Sequence, residues 1–469
     1  MRTAKVATVV TEDNAALAFL EIQQGRLLYC HDEGTWFVWT GYHWKRERTD
    51  LVFEWIRQHV RVLTINQPTS ILQKCNKPSF VSGTEKFLRA DRVFAMQSAD
   101  WNVDHFLLGT PAGTVNLQTG ETYSPRPEDR ITRLTAAGAA ANADCPQWLK
   151  FLDDSTGGDV DLTRFLQQWC GYSLTGDTRE HALIFVYGGG GNGKSVFMNT
   201  VSGILGDYAT IAAMDTFTAS RNEKHPTELA RLAGARLVTA SETEKGHAWA
   251  EARIKSLTGS DVITARFMRQ DFFEFLPEFK LVIIGNHKPV LQTVDDAARN
   301  RFNIVPFIRK PVSPDRQLEK TLQSEWPEIL RWMIDGCLDW QKNGLVRPAS
   351  VKETTETYFS DQDLLGQWLV EKCDAGDPLN ISKSDYTGAL FMSWGEYSND
   401  AGEPPGTKKA FSEALSSRGF AARRGTGGRR MFAGLRLLDQ GGSVMSDGWR
   451  IVTRNPGSFF CAHARARSL

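Results

Sequence analysis

The chain contains no run of about 18 consecutive apolar residues, so no membrane-spanning helix is expected. It has no C-x-x-C pair either: its seven cysteines are scattered singly, which argues against both a zinc site and a disulfide framework. An export leader is also missing from the expectation, because the opening MRTAKVATVVTEDNAALAFL holds one short apolar patch soon interrupted by acids. Formal net charge is zero, with 55 basic against 55 acidic residues. These absences exclude membrane and disulfide-rich secreted classes and point to a cytoplasmic protein. What is present is ordinary globular composition, 41% hydrophobic and 23% charged over 469 residues, enough for two or three domains with a large core. The charge is unevenly spread, since residues 401–469 hold twelve Lys/Arg against four Asp/Glu. Such a tail suits an anionic partner, or a solvated basic surface.

Residues 1–145 read as a mixed, aromatic-rich region. TWFVWTGYHW (35–44) predicts a hairpin turning at Thr40–Gly41, and GTVNLQTGETY (113–123) predicts another. Trp36, Trp39 and Trp44 could stack bases, but packing in a small core is the better reading of aromatics in half-buried hairpins. The segment AAGAAANADCPQ marks a connection, after which 148–174 reads as largely helical. Residues 146–345 alternate apolar strands (ALIFVY, RLVTAS, KLVIIGN) with helices, the pattern of an α/β sheet with crossovers, and a helical stretch over 315–342 closes the region. Residues 346–469 form the basic tail domain, in which 408–437 reads as a helix, a Gly/Arg-rich turn and a strand.

The centre of the chemistry is ALIFVYGGGGNGKSVFMNT (182–200). Gly188, Gly189, Gly190, Gly191, Asn192, Gly193, Lys194 and Ser195 fit G-x-x-x-x-G-K-[ST], with Val196 following into a helix. Glycines let backbone N–H groups turn toward phosphates, and the next helix points its positive end at them. Lys194 is suited to β- and γ-phosphates and the Ser195 hydroxyl to Mg²⁺, so ATP with Mg²⁺ is the expected ligand. A strand before and a helix after separate this run from a flexible linker.

Such a cradle needs a carboxylate at the end of a neighbouring strand. RLVTASETEKG supplies Glu242, 48 residues after Lys194, with Glu244 two further on. Glu242 is favoured for metal and attacking water, and Glu244 is the alternative. A third strand ends in Asn286, suited to hydrogen-bond the γ-phosphate or the water, or simply to form a turn. Arg299 and Arg301 follow on a helix end ahead of the apolar FNIVPF; an arginine so placed can enter a neighbouring subunit's nucleotide site, though surface ion pairing is the commoner fate.

The order Gly-Lys-Ser, Glu-x-Glu-Lys-Gly, KSLTGSDVITAR, apolar strand with Asn, and RNRFNIVPF resembles the superfamily 3 helicases. The type it is most similar to is the phage and plasmid primase-helicase family, to which the poxvirus primase-helicase is related. GGGGNGKS, GYSLTGDTRE (171–180) and LGTPAGTVNLQTGE followed by CPQWLKFL also carry the resemblance, which covers roughly residues 25–310. It implies an α/β fold: an AAA+-like P-loop core, an N-terminal mixed α/β pre-helicase domain and a C-terminal winged-helix-like domain. It also implies a hexamer around single-stranded DNA with ATP sites between subunits. Arg266 would be a phosphate sensor acting in trans. ITARFMRQDFFEFLP (263–277) would be a hairpin projecting into the channel, with Arg269 near its tip on DNA phosphate and Gln270 beside it. Arg301, five residues before Pro306, fits the family's finger; Arg299 competes for that role because the family's second arginine position is Asn300 here. Arg423, Arg424, Arg429 and Arg430 would lie in or near a wing that binds DNA.

The family's N-terminal primase module has no counterpart by this reading, so any primase partner would be a separate polypeptide. Asp159 and Asp161 (GGDVDLTRFL) are read as helix caps rather than as its metal ligands. The expected role is replication of phage, prophage or plasmid DNA. Two rivals stand beside it: a nucleotide-dependent initiator that binds an origin without unwinding, and a P-loop kinase for a small acceptor, in which the hairpin and finger have no task.

Overall fold

A computed structural model describes residues 10–219, 226–241, 248–268, 271–291, 296–311, 314–377, 380, 382–425, 428–438, 449–453 and 459–463. The chain divides into two compact units, Met1–Thr355 and Glu356–Leu469.

The first unit begins with helices Glu12–Gln23, Leu51–Leu63, Thr69–Cys75 and Pro78–Ala90 and a sheet of order Trp44–Arg46, Thr35–Trp39, Leu27–Cys30, Ala95–Met96. Phe19, Leu27, Trp36, Ile56, Phe80 and Phe94 share its core. The first expected hairpin is present, with Trp39 opposite Trp44 and Gly41 at φ +94° in the turn. Its tryptophans pack rather than project. Trp36 and Trp44 are buried, the Trp36 indole N–H donating to Glu85 Oε1 at 2.9 Å and that of Trp44 to Pro127 O at 2.8 Å. The second hairpin, Gly113–Asn116 with Glu121–Tyr123, gains a third strand, Leu107–Thr110. Leu108 and Val115 on it belong to the core of the central sheet.

That central sheet has five strands: β1 (Leu183–Tyr187), β2 (Ala209–Ile211), β3 (Leu237–Ser241), β4 (Lys280–Gly285) and β5 (Phe302–Pro306), in the order β5-β1-β4-β3-β2 and parallel throughout. Strands covered on both faces must be apolar at nearly every position, which is why these runs read as continuous hydrophobic stretches. The helix expected over 148–174 is two, Pro146–Thr156 and Val160–Tyr172, separated at Gly157, whose φ of +71° ends the first. Asp159 caps the second, accepting from Leu162 N at 2.9 Å, while Asp161 sits in its first turn. The pattern over 315–342 divides likewise into Leu318–Gln323 and Trp326–Asn343, the latter opening on a proline. Val160–Tyr172 packs against Trp326–Asn343 through two glycines. A Cβ on Gly171 would stand 2.1 Å from Cys337 N, and one on Gly336 would stand 2.2 Å from Gln167 O.

The second unit has a sheet of order Cys373–Ala375, Leu435–Leu437, Ser384–Tyr386, Arg430–Ala433, Ala422–Arg424. Helices Leu364–Lys372, Thr387–Asp400 and Lys408–Ser417 contribute Trp368, Leu390 and Phe411 to its core. Arg423 and Arg424 therefore lie on an edge strand that the sequence pattern had merged into the turn; charged side chains are a usual finish for an edge. Among the described residues no helix is long and apolar enough to cross a membrane.

Candidate functional site

The cradle is built where β1 ends. In the loop 188–193, Gly191 and Gly193 take φ of +76° and +85°, a region closed to most side chains. Gly188 is needed for a different reason: a Cβ there would come within 1.8 Å of Phe307 O, just beyond β5. At Gly190 nothing lies within 4 Å, so this stretch faces open space. The helix Lys194–Leu205 then starts without a side-chain cap and without acids in its first turn. Its leading N–H groups and dipole thus favour an anion, with Ser195 exposed on the first turn and Val196 half-buried behind it.

Lys194 is buried and its ammonium points back into the loop. Nζ donates to Gly188 O at 2.6 Å, Gly189 O at 3.0 Å, Asn192 Oδ1 at 2.9 Å and Asn286 Oδ1 at 3.0 Å. Burial lowers its pKa from the usual lysine value. Four acceptors share three protons, so a phosphate oxygen can displace one without leaving the ammonium bare. Asn192, itself buried, braces the loop from the other side by donating to Phe307 O.

Register brings the strand ends level. Ser241 on β3 pairs with Ile284 on β4, Ile284 pairs with Val186 on β1, and Tyr187 pairs with both Gly285 and Pro306. The carboxyl ends of four strands thus meet at the cradle, and Asn286, directly after β4, reaches Lys194. Glu242 follows Ser241 without a gap, but Glu242 and Glu244 lie outside the described residues. Among the described residues no cluster of three His, Cys, Asp or Glu forms a metal site.

The arginines lie elsewhere. Arg301 ends the helix Asp296–Arg301 and precedes Phe302, which pairs with Leu183 at the amino end of β1. At about 3.3 Å per residue, this puts roughly 15–20 Å of strand between Arg301 and the cradle of its own chain. Its Nη1 donates to Ala297 O at 3.0 Å, while its Nε is buried with no partner among the described residues. Arg299, on the same helix, is half-buried. Arg266 is exposed on the expected hairpin, formed by Ile263–Ala265 with Phe273–Phe275, and its guanidinium lies 4.7 Å over the Phe272 ring. Arg269 and Gln270 lie outside the described residues. Arg423, Arg424, Arg429 and Arg430 are all exposed around the hairpin Ala422–Arg424 with Arg430–Ala433, where Arg424 faces Arg430 directly. Like charges so placed repel, and an anion between them relieves the repulsion.

One buried group of the central sheet is not evident from motif spacing. Lys280, first residue of β4, is buried, and its Nζ donates to the carbonyls of Thr175, Asp177 (3.1 Å) and Glu278 (3.1 Å) beside the Tyr172 ring. Desolvation pushes its pKa well below the usual lysine value. Arg236, immediately before β3, is buried too and donates to Leu174 O at 2.5 Å and Leu107 O at 2.8 Å. The GYSLTGDTRE segment is therefore a wrap around two buried cations at the amino end of the sheet. A charged residue heading an apolar strand was the available signal.

With this geometry in place, comparison with known proteins is informative. The family described as D5 N terminal like matches residues 16–157, and a family of unknown function, DUF5906, matches residues 186–301. "Putative helicase 022R" of Frog virus 3 is 27% identical over 325 residues, 63% of this chain and 31% of that protein. "Putative helicase L207/L206" of Acanthamoeba polyphaga mimivirus is 23% identical, covering 68% of this chain and 37% of its own length. "Putative primase C962R" of African swine fever virus is 24% identical, covering 61% and 32%. The chain spans about a third of the length of these viral relatives. The apo structure of the NrS-1 C terminal region superposes with a TM-score of 0.53 at 11% identity, over 91% of this chain and 99% of that one, a likeness of fold. A segment similar to the D5 N-terminal family thus leads into the glycine-lysine-serine cradle, in a chain similar to viral proteins described as putative helicases and putative primases.

Proposed function

We propose that this chain is the motor of an ATP- and Mg²⁺-dependent DNA helicase serving phage, prophage or plasmid replication, working as a hexameric ring on single-stranded DNA. The observation that carries the reading is the joining of Lys194 and Asn286 at the carboxyl edge of a parallel sheet, with Arg301 at the opposite edge. The strand order β5-β1-β4-β3-β2 supports an AAA+-like core for such a motor. Lys194 and the leading N–H groups of its helix would hold the β- and γ-phosphates. Ser195 and Glu242 would hold Mg²⁺, which supplies neutralisation of phosphate charge. Glu242, or Glu244, would orient water, and Asn286 would sense the γ-phosphate.

Arg301 is too far from its own cradle to act there, which favours delivery into the neighbour's site; Arg299 is its alternate on the same helix, and Arg266 is assigned to the neighbour's phosphates as well. Arg269 and Gln270 would contact the DNA backbone in the channel. The second unit is read as winged-helix-like, with Arg423, Arg424, Arg429 and Arg430 on DNA. The test is ATP hydrolysis with and without single-stranded DNA, for the wild type and Lys194→Ala. Stimulation by the strand, lost in the variant, is expected; turnover that ignores both would sink the reading.

A further inference from the structure

The helix Asp296–Arg301 has six residues, too few to be stable by itself, so its shape depends on what grips it from outside. Its C-terminal end is gripped twice. Arg347 is half-buried in the connection between helices Trp326–Asn343 and Ala349–Gln362, and its Nη2 donates to Asn300 O. Asn303, fully buried on β5, donates from Nδ2 to Leu183 O at 3.0 Å and to Arg301 O at 3.4 Å. Burial lowers the Arg347 pKa from the usual arginine value, yet a guanidinium keeps its charge, and a cation on a carbonyl at a helix C-terminus also opposes the helix dipole.

Arg347 is in turn fixed to the body of the first unit. Val346 N donates to Gln168 Oε1 at 2.9 Å and Ser350 Oγ donates to Asp159 Oδ2 at 2.7 Å, which ties both flanks to the helix Val160–Tyr172 and its cap. Val351 lies in the core of the central sheet. Further on, Thr355 Oγ1 accepts from Ile304 N at 2.9 Å. Residues 346–355 therefore follow the outer edge of β5, from the residue before Arg301 to the third residue of the strand.

We propose that Arg347 is a positioning residue for Arg301, fixing the main chain from which the Arg301 guanidinium is delivered to a neighbouring copy's nucleotide. The inference rests on the reading of Arg301 as an arginine that acts in trans, and deepens it by naming what sets its reach. The main chain at 300–301 is pinned, whereas the Arg301 side chain folds back on its own helix, with Nη1 on Ala297 O and Nε unmatched among the described residues. A charge carried outward on a long side chain lands where its base directs it, and a small shift of that base is costly. Arg347 itself lies at the amino end of β5, the end away from the cradle of its own chain, so its removal leaves that cradle intact.

The test is a double-mutant cycle on ATP turnover by the full chain with single-stranded DNA. Arg347→Met keeps the packing stem and removes the donors; it should lower kcat about ten- to a hundredfold with KM unchanged, and Arg347→Lys, which keeps a donor, should recover most of the loss. Arg301→Ala combined with Arg347→Met should be no more than about twofold slower than Arg301→Ala alone, since both act through one group. Mixing Arg347→Met with Lys194→Ala should restore turnover, and mixing it with Arg301→Ala should not. Full turnover by Arg347→Met beside a slow Arg301→Ala overturns the proposal and leaves the finger standing. Additive losses, or a lowered melting temperature with KM raised, overturn it in favour of a structural role. Full turnover by Arg301→Ala removes the finger and its positioner together.

Discussion

At the carboxyl end of the central sheet, Lys194 meets four acceptors supplied by its own chain. At the amino end, Arg301 Nη1 donates to Ala297 O, and its Nε is buried with no partner among the described residues. A buried, charged donor left unmatched is destabilising unless something completes it. One end is satisfied within the chain, and the other leaves a buried donor unmatched among the described residues. The proposed ring calls for this asymmetry in each copy, and it can be broken experimentally from either end.

The largest effect is expected at the finished end. Lys194→Ala should remove measurable ATP turnover, about a thousandfold or more, because one cation both orders the loop and meets the phosphates. Arg301→Ala should lower turnover about a hundred- to a thousandfold while nucleotide binding to the single chain stays within about twofold. Mixing the two inactive variants should restore part of the activity if each supplies what the other lacks, and phosphate release measured on the mixture decides it. If Arg301→Ala instead abolishes nucleotide binding, the comparison between the two ends collapses.

Asn286→Ala should reduce kcat about ten- to a hundredfold with little change in KM, since the amide is placed to act on the reacting phosphate rather than to hold the nucleotide. Within the loop, Gly188→Ala should destabilise the protein and abolish nucleotide binding, because the added carbon meets Phe307 O at 1.8 Å, whereas Gly190→Ala, with nothing within 4 Å, should leave the melting temperature unchanged. Equal behaviour of these two variants would mean that the loop does not rest on β5 as described.

The smallest effect belongs away from both ends. Asp339 accepts from Arg164 and Gln168 across the packed helices, and mainly the Arg164 hydrogen bond draws its pKa down to about 2. A carboxyl depressed in the folded state stabilises above its unfolded pKa, near 3.9, and loses that contribution as pH falls through about 2. Asp339→Asn should therefore lower the melting temperature by about 2–4 °C at pH 7, with the gap closing below pH 4 and ATP turnover unaffected throughout.

Much of the nucleotide cradle was legible because its requirements are local. Glycines at 188–193, Lys194 and a following helix lie within a dozen residues, and apolar runs bounded by glycine or asparagine gave β1, β3, β4 and β5. The hairpins at 35–44 and 113–123 were legible from their alternation, and that over 263–277 from the family resemblance alone. Strand order was not, because parallel neighbours are joined by long crossovers; nothing near Arg301 in sequence says that it starts β5 at the far edge. Asn192 reads as a family letter, yet its bond to Phe307 spans the fold. Lys280 reads as a surface residue until β4 is placed among buried strands. The divisions at Gly157 and before Trp326 were missed because hydrophobic periodicity runs through both, while a left-handed glycine and a helix-opening proline decide the outcome.

Arg236 sits directly before β3 and clamps Leu107 O from the N-terminal three-stranded sheet, and β3 runs from there to Ser241, next to the acids. A strand flanked on both sides by hydrogen-bonded neighbours resists bending, so it behaves as a push-rod. The contact with the N-terminal sheet is thus tied by one straight strand to the carboxyl end of the central sheet, five residues away.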